Sequence, residues 1–196
     1  MATSVLASST FLVKEHVGLF KAANNYDIYD PSTGLIVMEC REEKLGIFTK
    51  LLRFTDYKRF TPFDIEVRTP QGERVVEVKR GVTLFVSKVK VLDGREKPIG
   101  AFKQQLFSIG GSFDVLDEHE RVVCTLKGKW TSWEFTFAQD GVELARVTKK
   151  WAGLGKELFT SADNYVLQIA DKVPADGPVR PLILAAVMCI DMVLKE

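Results

Sequence analysis

The chain has 196 residues, of which 46% are hydrophobic and 27% charged, so it can bury a core and is not a disordered protein. Lys and Arg number 27 against 26 Asp and Glu, and the net charge of +1 excludes attachment to nucleic acid by bulk charge. This length predicts one domain over residues 1–196.

One local pattern recurs along the chain. A segment of alternating apolar and polar residues leads into a turn rich in Gly, Asp or Pro, and a second alternating segment follows. This pattern predicts a β-hairpin. Short strands at 11–13 and 19–22 are followed by five such hairpins and a last strand, at 26–40, 63–78, 89–102, 113–126, 135–147 and 165–169.

Two segments do not alternate. Residues 42–60 predict either a short helix or a long loop. Residues 182–194 are apolar on every side, and Pro181 suits the first turn of a helix. This helix rises only about 20 Å, less than the roughly 30 Å of a bilayer core, and it contains Asp191. We therefore expect it to be buried in protein, with five side chains inside: Leu182, Leu184, Val187, Met188 and Ile190.

The strands and the helix together predict one architecture. Eight strands close into a barrel that side chains just fill, so about a dozen strands leave a wider lumen. The C-terminal helix supplies an apolar element that can fill it. We predict a mainly β fold: a roughly twelve-stranded, antiparallel, closed β-barrel around a central hydrophobic C-terminal α-helix.

Two stretches of the sequence carry a family resemblance. Residues 149–169 contain the segment Ala162-Asp163-Asn164-Tyr165, and the apolar helix that follows includes Ile190-Asp191. Near the start of the chain lies Tyr26-Asp-Ile-Tyr-Asp. This resembles the phospholipid scramblases and the plant LURP-one-related proteins of the Tubby C-terminal-like superfamily, over nearly the whole chain. The resemblance implies the same barrel and three different roles: calcium-linked phospholipid binding or transport, phosphoinositide binding, and plant defence.

Basic residues give the candidate binding site. They recur two apart on predicted strands, which places each pair on one face. If neighbouring strands bring the pairs together, they form a patch that binds phosphate or anionic lipid. The members of this predicted patch are Lys88, Lys90, Lys127 and Lys129. The alternative is a solvated exterior balanced by acidic residues, namely Glu73, Glu77, Glu134 and Glu143.

The resemblance also implies a calcium loop that starts with Asp at the position of Ser161. Calcium requires about six oxygens, usually with several carboxylates. The remaining candidates are Asp163, Asn164, Asp171 and Asp176. We interpret Asp163-Asn164 as a turn and strand start, and expect no tight calcium binding and no cofactor.

The other chemically distinctive residues predict structure rather than catalysis. Cys40, Cys124 and Cys189 lie in apolar surroundings, which indicates buried thiols and no disulfide framework. His16 and His119 are not at metal-ligand spacing from other donors. The chain contains no catalytic motif, so we do not expect an enzyme. Core packing is favoured over a membrane-interface role for three residues, Trp130, Trp133 and Trp151.

Three functional hypotheses follow. The first is a non-enzymatic module that binds anionic phospholipid or phosphoinositide headgroups. The second is a protein-interaction or regulatory barrel without a lipid role, and the third is scramblase-type lipid transport by an inserted C-terminal helix. The N-terminus has no secretory signal, and Ala2 stands where N-myristoylation needs glycine. We therefore expect a cytoplasmic monomer, peripheral at a membrane under the first hypothesis, with no nucleic-acid partner.

Overall fold

The computed structural model describes residues 5–16, 25–42, 61–81, 88–105, 112–129, 132–149 and 164–193. Twelve strands and one C-terminal helix follow one another: β1 (Thr10–Glu15), β2 (Tyr26–Tyr29), β3 (Ile36–Arg41), β4 (Phe63–Arg68), β5 (Arg74–Arg80), β6 (Lys88–Asp93), β7 (Pro98–Gln104), β8 (Ser112–Asp117), β9 (Val122–Lys129), β10 (Glu134–Gln139), β11 (Val142–Thr148), β12 (Asn164–Ile169) and α1 (Val179–Val193).

The strands form a closed antiparallel barrel. Each strand pairs with the next along the chain, and β12 closes the barrel by pairing with β1, with Thr10 opposite Gln168. The predicted fold class and all five predicted hairpins are confirmed. The predicted strand at 19–22 lies outside the described residues, as does almost all of the segment at 42–60.

Three hairpin turns use the same local device. Asp30, Asp93 and Asp117 each end a strand or follow it directly. Each accepts a hydrogen bond at 2.8 Å from the backbone N–H two residues on. In such Asx turns the side-chain carboxylate takes the place of a backbone carbonyl as the hydrogen-bond acceptor while the chain reverses. The Asp-led turns of the sequence therefore fix where the strands end.

Strand alternation lines the lumen with apolar side chains. On β4, Phe63, Ile65 and Val67 are buried while the residues between them are half-buried. Ile65 lies opposite Val78 of β5, so neighbouring strands direct the same rows inward. This arrangement produces an apolar interior that must be filled.

Helix α1 fills that interior. Its predicted core residues Leu182, Leu184, Val187, Met188 and Ile190 are all at most 3% exposed, which confirms their burial. Gly100 of β7 provides room, because a Cβ built there would come within 2.8 Å of Leu182 Cδ2. Within the described residues, no helix is both long and apolar enough to cross a membrane.

Arg180 fixes the start of α1. It is 3% exposed, and its guanidinium donates to the carbonyls of Val173 and Pro174 before the helix. It also donates at 2.8 Å to the carbonyls of Leu6 and Ser8 in the N-terminal segment. Burial lowers the pKa of Arg180, and the charge of Asp171 offsets this in part. The buried cation thus ties the start of α1 to the segment before β1 and to the segment after β12.

Candidate functional site

The predicted lysines of β6 lie on the outside of the barrel. Lys88 and Lys90 are exposed, whereas Val89 and Val91 between and beyond them are fully buried. The alternation of the strand therefore places both lysines on the outer face, as expected from their spacing.

The neighbouring strands bring two further lysines to this face. Lys88 lies directly opposite Lys103 of β7, and Lys90 lies opposite Lys79 of β5. Lys103 is exposed, and the side chain of Lys79 is 40% exposed. We call these four residues, Lys79, Lys88, Lys90 and Lys103, the β5–β7 basic surface. Lys103 is not among the predicted patch residues, although the alternation around the buried Phe102 places it on the outer face.

The other predicted pair does not join this surface. Lys127 and Lys129 lie on β9, and β7 and β8 separate β9 from β6. Three strand spacings amount to roughly 14 Å. Lys127 is opposite Ser112 and Thr136, and Lys129 is opposite Glu134. The condition for one patch of all four predicted lysines, that neighbouring strands bring the two pairs together, is therefore not met, because a meander places only consecutive strands side by side.

Acidic side chains neutralise part of the β5–β7 basic surface. Lys79 Nζ lies 2.7 Å from Glu77 and 3.9 Å from Asp64, and the hydrogen bond to Glu77 raises the pKa of Lys79. Lys88 Nζ lies 2.6 Å from Glu120. Within the described part of the chain, Lys90 and Lys103 form no ion pair. The surface thus retains two exposed lysines that form no ion pair with any described residue.

The predicted alternative, a balanced exterior, applies to part of this surface, where the buried Glu77 pairs with Lys79, and also to another face of the barrel. On β11, Arg146 donates to Glu143 at 2.8 Å and lies 3.5 Å from Glu134 on β10. The hydrogen bond to Glu143 raises the pKa of Arg146. This face therefore carries paired charges.

Two of the candidate calcium ligands, Asn164 and Asp171, lie apart in the structure. Asn164 is buried at the start of β12, and Asp171 is exposed just beyond its end, where it accepts a hydrogen bond from Ser9 at 3.4 Å. Seven residues of extended chain separate the two by about 20 Å. Asp176 is exposed in the turn before α1, and Asp163 lies outside the described residues. Over the described ranges, no group of three His, Cys, Asp or Glu side chains is placed to hold a metal ion.

The described tryptophan packs at the margin of the core. Trp133 is half-buried, stacks on Tyr165 with a centroid distance of 6.3 Å, and meets Phe135 edge-on. Lys149 Nζ lies 3.9 Å from the centre of its ring. This confirms the packing interpretation for Trp133, while Trp130 and Trp151 lie outside the described residues.

The cysteines and histidines have structural surroundings. Cys40 and Cys124 are buried and not in disulfides, and burial raises the pKa of the Cys124 thiol to about 12. The side chain of Cys189 is outside the described set. His119 Nε2 is 3.8 Å from Glu118 on the surface.

His16 belongs to a charged cluster with Asp27 and Arg41. Its Nε2 is 2.7 Å from Asp27, and Arg41 lies 2.6 Å from the same carboxylate. Burial raises the pKa of Asp27, but the hydrogen bonds from Arg41 and His16 outweigh it and hold the pKa below its usual value. The cluster connects β2 to β3 and to the residue after β1.

Comparisons with known proteins agree with this architecture. The family model described as "Scramblase" matches residues 4–196. The chain is 24% identical over 206 residues to a Saccharomyces cerevisiae protein described as "Altered inheritance rate of mitochondria protein 25". That match covers 86% of the chain and 60% of the yeast protein, so the chain spans about three fifths of this relative. An Arabidopsis thaliana protein of known crystal structure is similar in fold, with a TM-score of 0.54, 14% identity, and coverage of 94% of this chain and 91% of the other.

Proposed function

This chain belongs to the scramblase family, as its resemblance predicted, and on that premise we propose that it is a non-enzymatic barrel that binds anionic phospholipid headgroups. The β5–β7 basic surface is the binding face. The observation that carries the proposal is the juxtaposition of four lysines on three adjacent strands, two of them without an acidic partner among the described residues. The ligand is a phosphoinositide or phosphatidylserine headgroup.

The charge of this surface supports weak binding. A lysine near an anionic membrane contributes about 1 kcal/mol, and the effect falls off within a Debye length. The net charge of +1 does not prevent this, because the local field decides the attraction. We therefore expect reversible, salt-sensitive attachment of a cytoplasmic protein to the membrane surface.

The placement of α1 supports binding rather than transport by an inserted helix. Leu182, Leu184 and Val187 are at most 1% exposed inside the barrel. Moving α1 into a bilayer would expose the apolar lining of the barrel to water and break the buried hydrogen bonds of Arg180. A fluorescent-lipid flip assay on vesicles separates transport from binding.

Vesicle co-sedimentation tests the proposal. The protein is mixed at low salt with neutral phosphatidylcholine vesicles and with vesicles that also contain phosphoinositide or phosphatidylserine. Lys90→Glu/Lys103→Glu should weaken binding to the anionic vesicles by at least roughly tenfold, since two reversed charges now repel them. The matched control is Lys127→Glu/Lys172→Glu, which makes the same change in net charge at exposed lysines away from the surface.

The two double variants also decide where the lipid binds. Equal losses in both would contradict the assignment to β5–β7 and indicate a response to net charge alone. If the wild-type protein does not bind either kind of anionic vesicle at low salt, the lipid proposal fails and the protein-interaction barrel becomes the leading hypothesis.

A further inference from the structure

The turn between β8 and β9 has a shape fixed by Asp117. Its carboxylate accepts hydrogen bonds from the backbone N–H groups of His119 and Arg121, at 2.8 and 2.9 Å, and from Arg121 Nε at 2.8 Å. The backbone N–H of Glu120 donates to the Asp117 carbonyl at 3.1 Å, and Glu120 has a left-handed φ of 61°. The position of Glu120 is therefore determined by the turn.

This turn reaches across β7 to the β5–β7 basic surface. Glu120 lies 2.6 Å from Lys88 of β6, although 32 residues separate the two along the chain. A second contact joins Glu118 to Lys97 in the β6–β7 turn at 3.1 Å. Two carboxylates of one turn thus pair with two cations, one on β6 and one in the turn that follows β6.

Glu120 lies within the field of two opposed lysines. Lys88 and Lys103 are directly opposite each other, an arrangement that is unfavourable for like charges. The hydrogen bond from Lys88, with the charges of Lys88 and Lys103, holds the pKa of Glu120 below its usual value. On β8, Asp114 lies opposite Lys103 but accepts a hydrogen bond from Gln105 at 2.5 Å. Glu120 is therefore an anion that relieves the repulsion between these two cations.

We infer that Glu120 occupies the place at Lys88 and Lys103 that a phosphate group of a lipid headgroup takes, so that the β8–β9 turn competes with the lipid. This inference rests on the proposed function, because it concerns the regulation of the same surface. A phosphate monoester of a phosphoinositide headgroup carries more charge than a carboxylate and offers three acceptor oxygens, so it can replace Glu120, whereas the phosphodiester of phosphatidylserine has no such advantage. An exposed ion pair is weak, so a lipid phosphate can displace the Glu120 side chain from Lys88 while the backbone of the turn stays in place.

The test compares two neutralising substitutions in the full chain. Glu120→Gln keeps the shape of the side chain and removes its charge. Glu143→Gln changes the net charge equally and also removes an exposed ion pair, but on β11. On phosphatidylcholine vesicles that contain a phosphoinositide, Glu120→Gln should bind roughly three- to fivefold more tightly than Glu143→Gln, as expected for one exposed pair. Adding Lys88→Gln to Glu120→Gln should abolish this gain.

The outcomes separate this inference from the proposed function. Suppose that wild type binds anionic vesicles and Lys90→Glu/Lys103→Glu does not, but Glu120→Gln and Glu143→Gln bind with equal affinity. The assignment of the β5–β7 basic surface then stands, and competition by the β8–β9 turn is refuted. If neither wild type nor Glu120→Gln binds any anionic vesicle, both proposals fall. Calorimetry with inorganic phosphate, without vesicles, distinguishes a lipid headgroup from free phosphate. If Glu120→Gln binds inorganic phosphate but shows no increase in affinity for phosphoinositide vesicles, the assignment of the ligand as a lipid is overturned.

Discussion

Gly100 marks a place where the barrel wall comes close to its central helix. It lies on β7, and a Cβ at this position would overlap the carbonyl oxygen of Leu116 and lie 2.8 Å from Leu182 Cδ2. Overpacking of a core costs about 1–3 kcal/mol, and a backbone oxygen cannot move aside cheaply. We therefore expect Gly100→Ala to lower the free energy of unfolding by about 3 kcal/mol.

This loss is large enough to measure by thermal unfolding. For a chain of this size, about 3 kcal/mol corresponds to a fall in Tm of about 6–12 °C. The matched control is Gly81→Ala at the end of β5, where a Cβ meets no atom within 4 Å and φ is ordinary. That substitution should leave Tm unchanged or raise it slightly.

A double variant tests whether the helix causes the effect. Adding Leu182→Ala removes the side-chain part of the overlap, so the two substitutions together should cost about 1 kcal/mol less than the sum of their separate costs. The overlap with Leu116 remains in the double variant. A Tm of Gly100→Ala equal to or above wild type would refute the packing of α1 against β7.

Four further predictions concern the core, the helix start, pH and calcium. Leu184→Asp should prevent folding, because an unpaired charge in this fully buried place costs several kcal/mol; a soluble variant with unchanged Tm would refute the central helix. Arg180→Lys keeps the charge but loses the planar set of donors, so chemical denaturation should show a free energy of unfolding about 3 kcal/mol lower than that of wild type. Arg95 is exposed, and Arg95→Ala should leave the free energy of unfolding almost unchanged. Asp27→Asn should lower the free energy of unfolding by about 1–2 kcal/mol at neutral pH. Because the pKa of Asp27 in the folded protein lies below 3.8, this difference in stability from wild type should shrink as the pH falls below about 4. A difference that stays constant with pH would contradict the prediction. Calorimetry should find no tight calcium binding, and micromolar affinity that disappears in Asp163→Ala would overturn that expectation.

The hairpins and the helix could be predicted because their signals are local. Alternation with a period of two, together with turn residues such as Asp30, Asp93 and Asp117, determines where strands begin, end and reverse. The uniformly apolar segment that follows Pro181 can only be buried. Each of these features depends on neighbours a few residues away, so it can be derived without knowing the tertiary structure.

The candidate site was predicted only in part. The spacing of Lys88 and Lys90 correctly placed both on the outer face of one strand. It could not reveal that Lys103 lies opposite Lys88, or that two strands separate β6 from Lys127. Nor could the sequence reveal the separation of Asn164 and Asp171, two of the calcium candidates, because a strand keeps its two ends apart even when they are close in sequence.

What the sequence by itself determined is the set of elements and the face of each strand on which a residue lies. Only the tertiary structure decided which charges meet. Glu120 reaches Lys88 across an intervening strand, and Arg180 binds the carbonyl of Leu6, which is 174 residues away. The physical reason is that local periodicity sets the direction of a side chain relative to its own backbone, whereas its neighbours depend on strand order, register and the closure of the barrel.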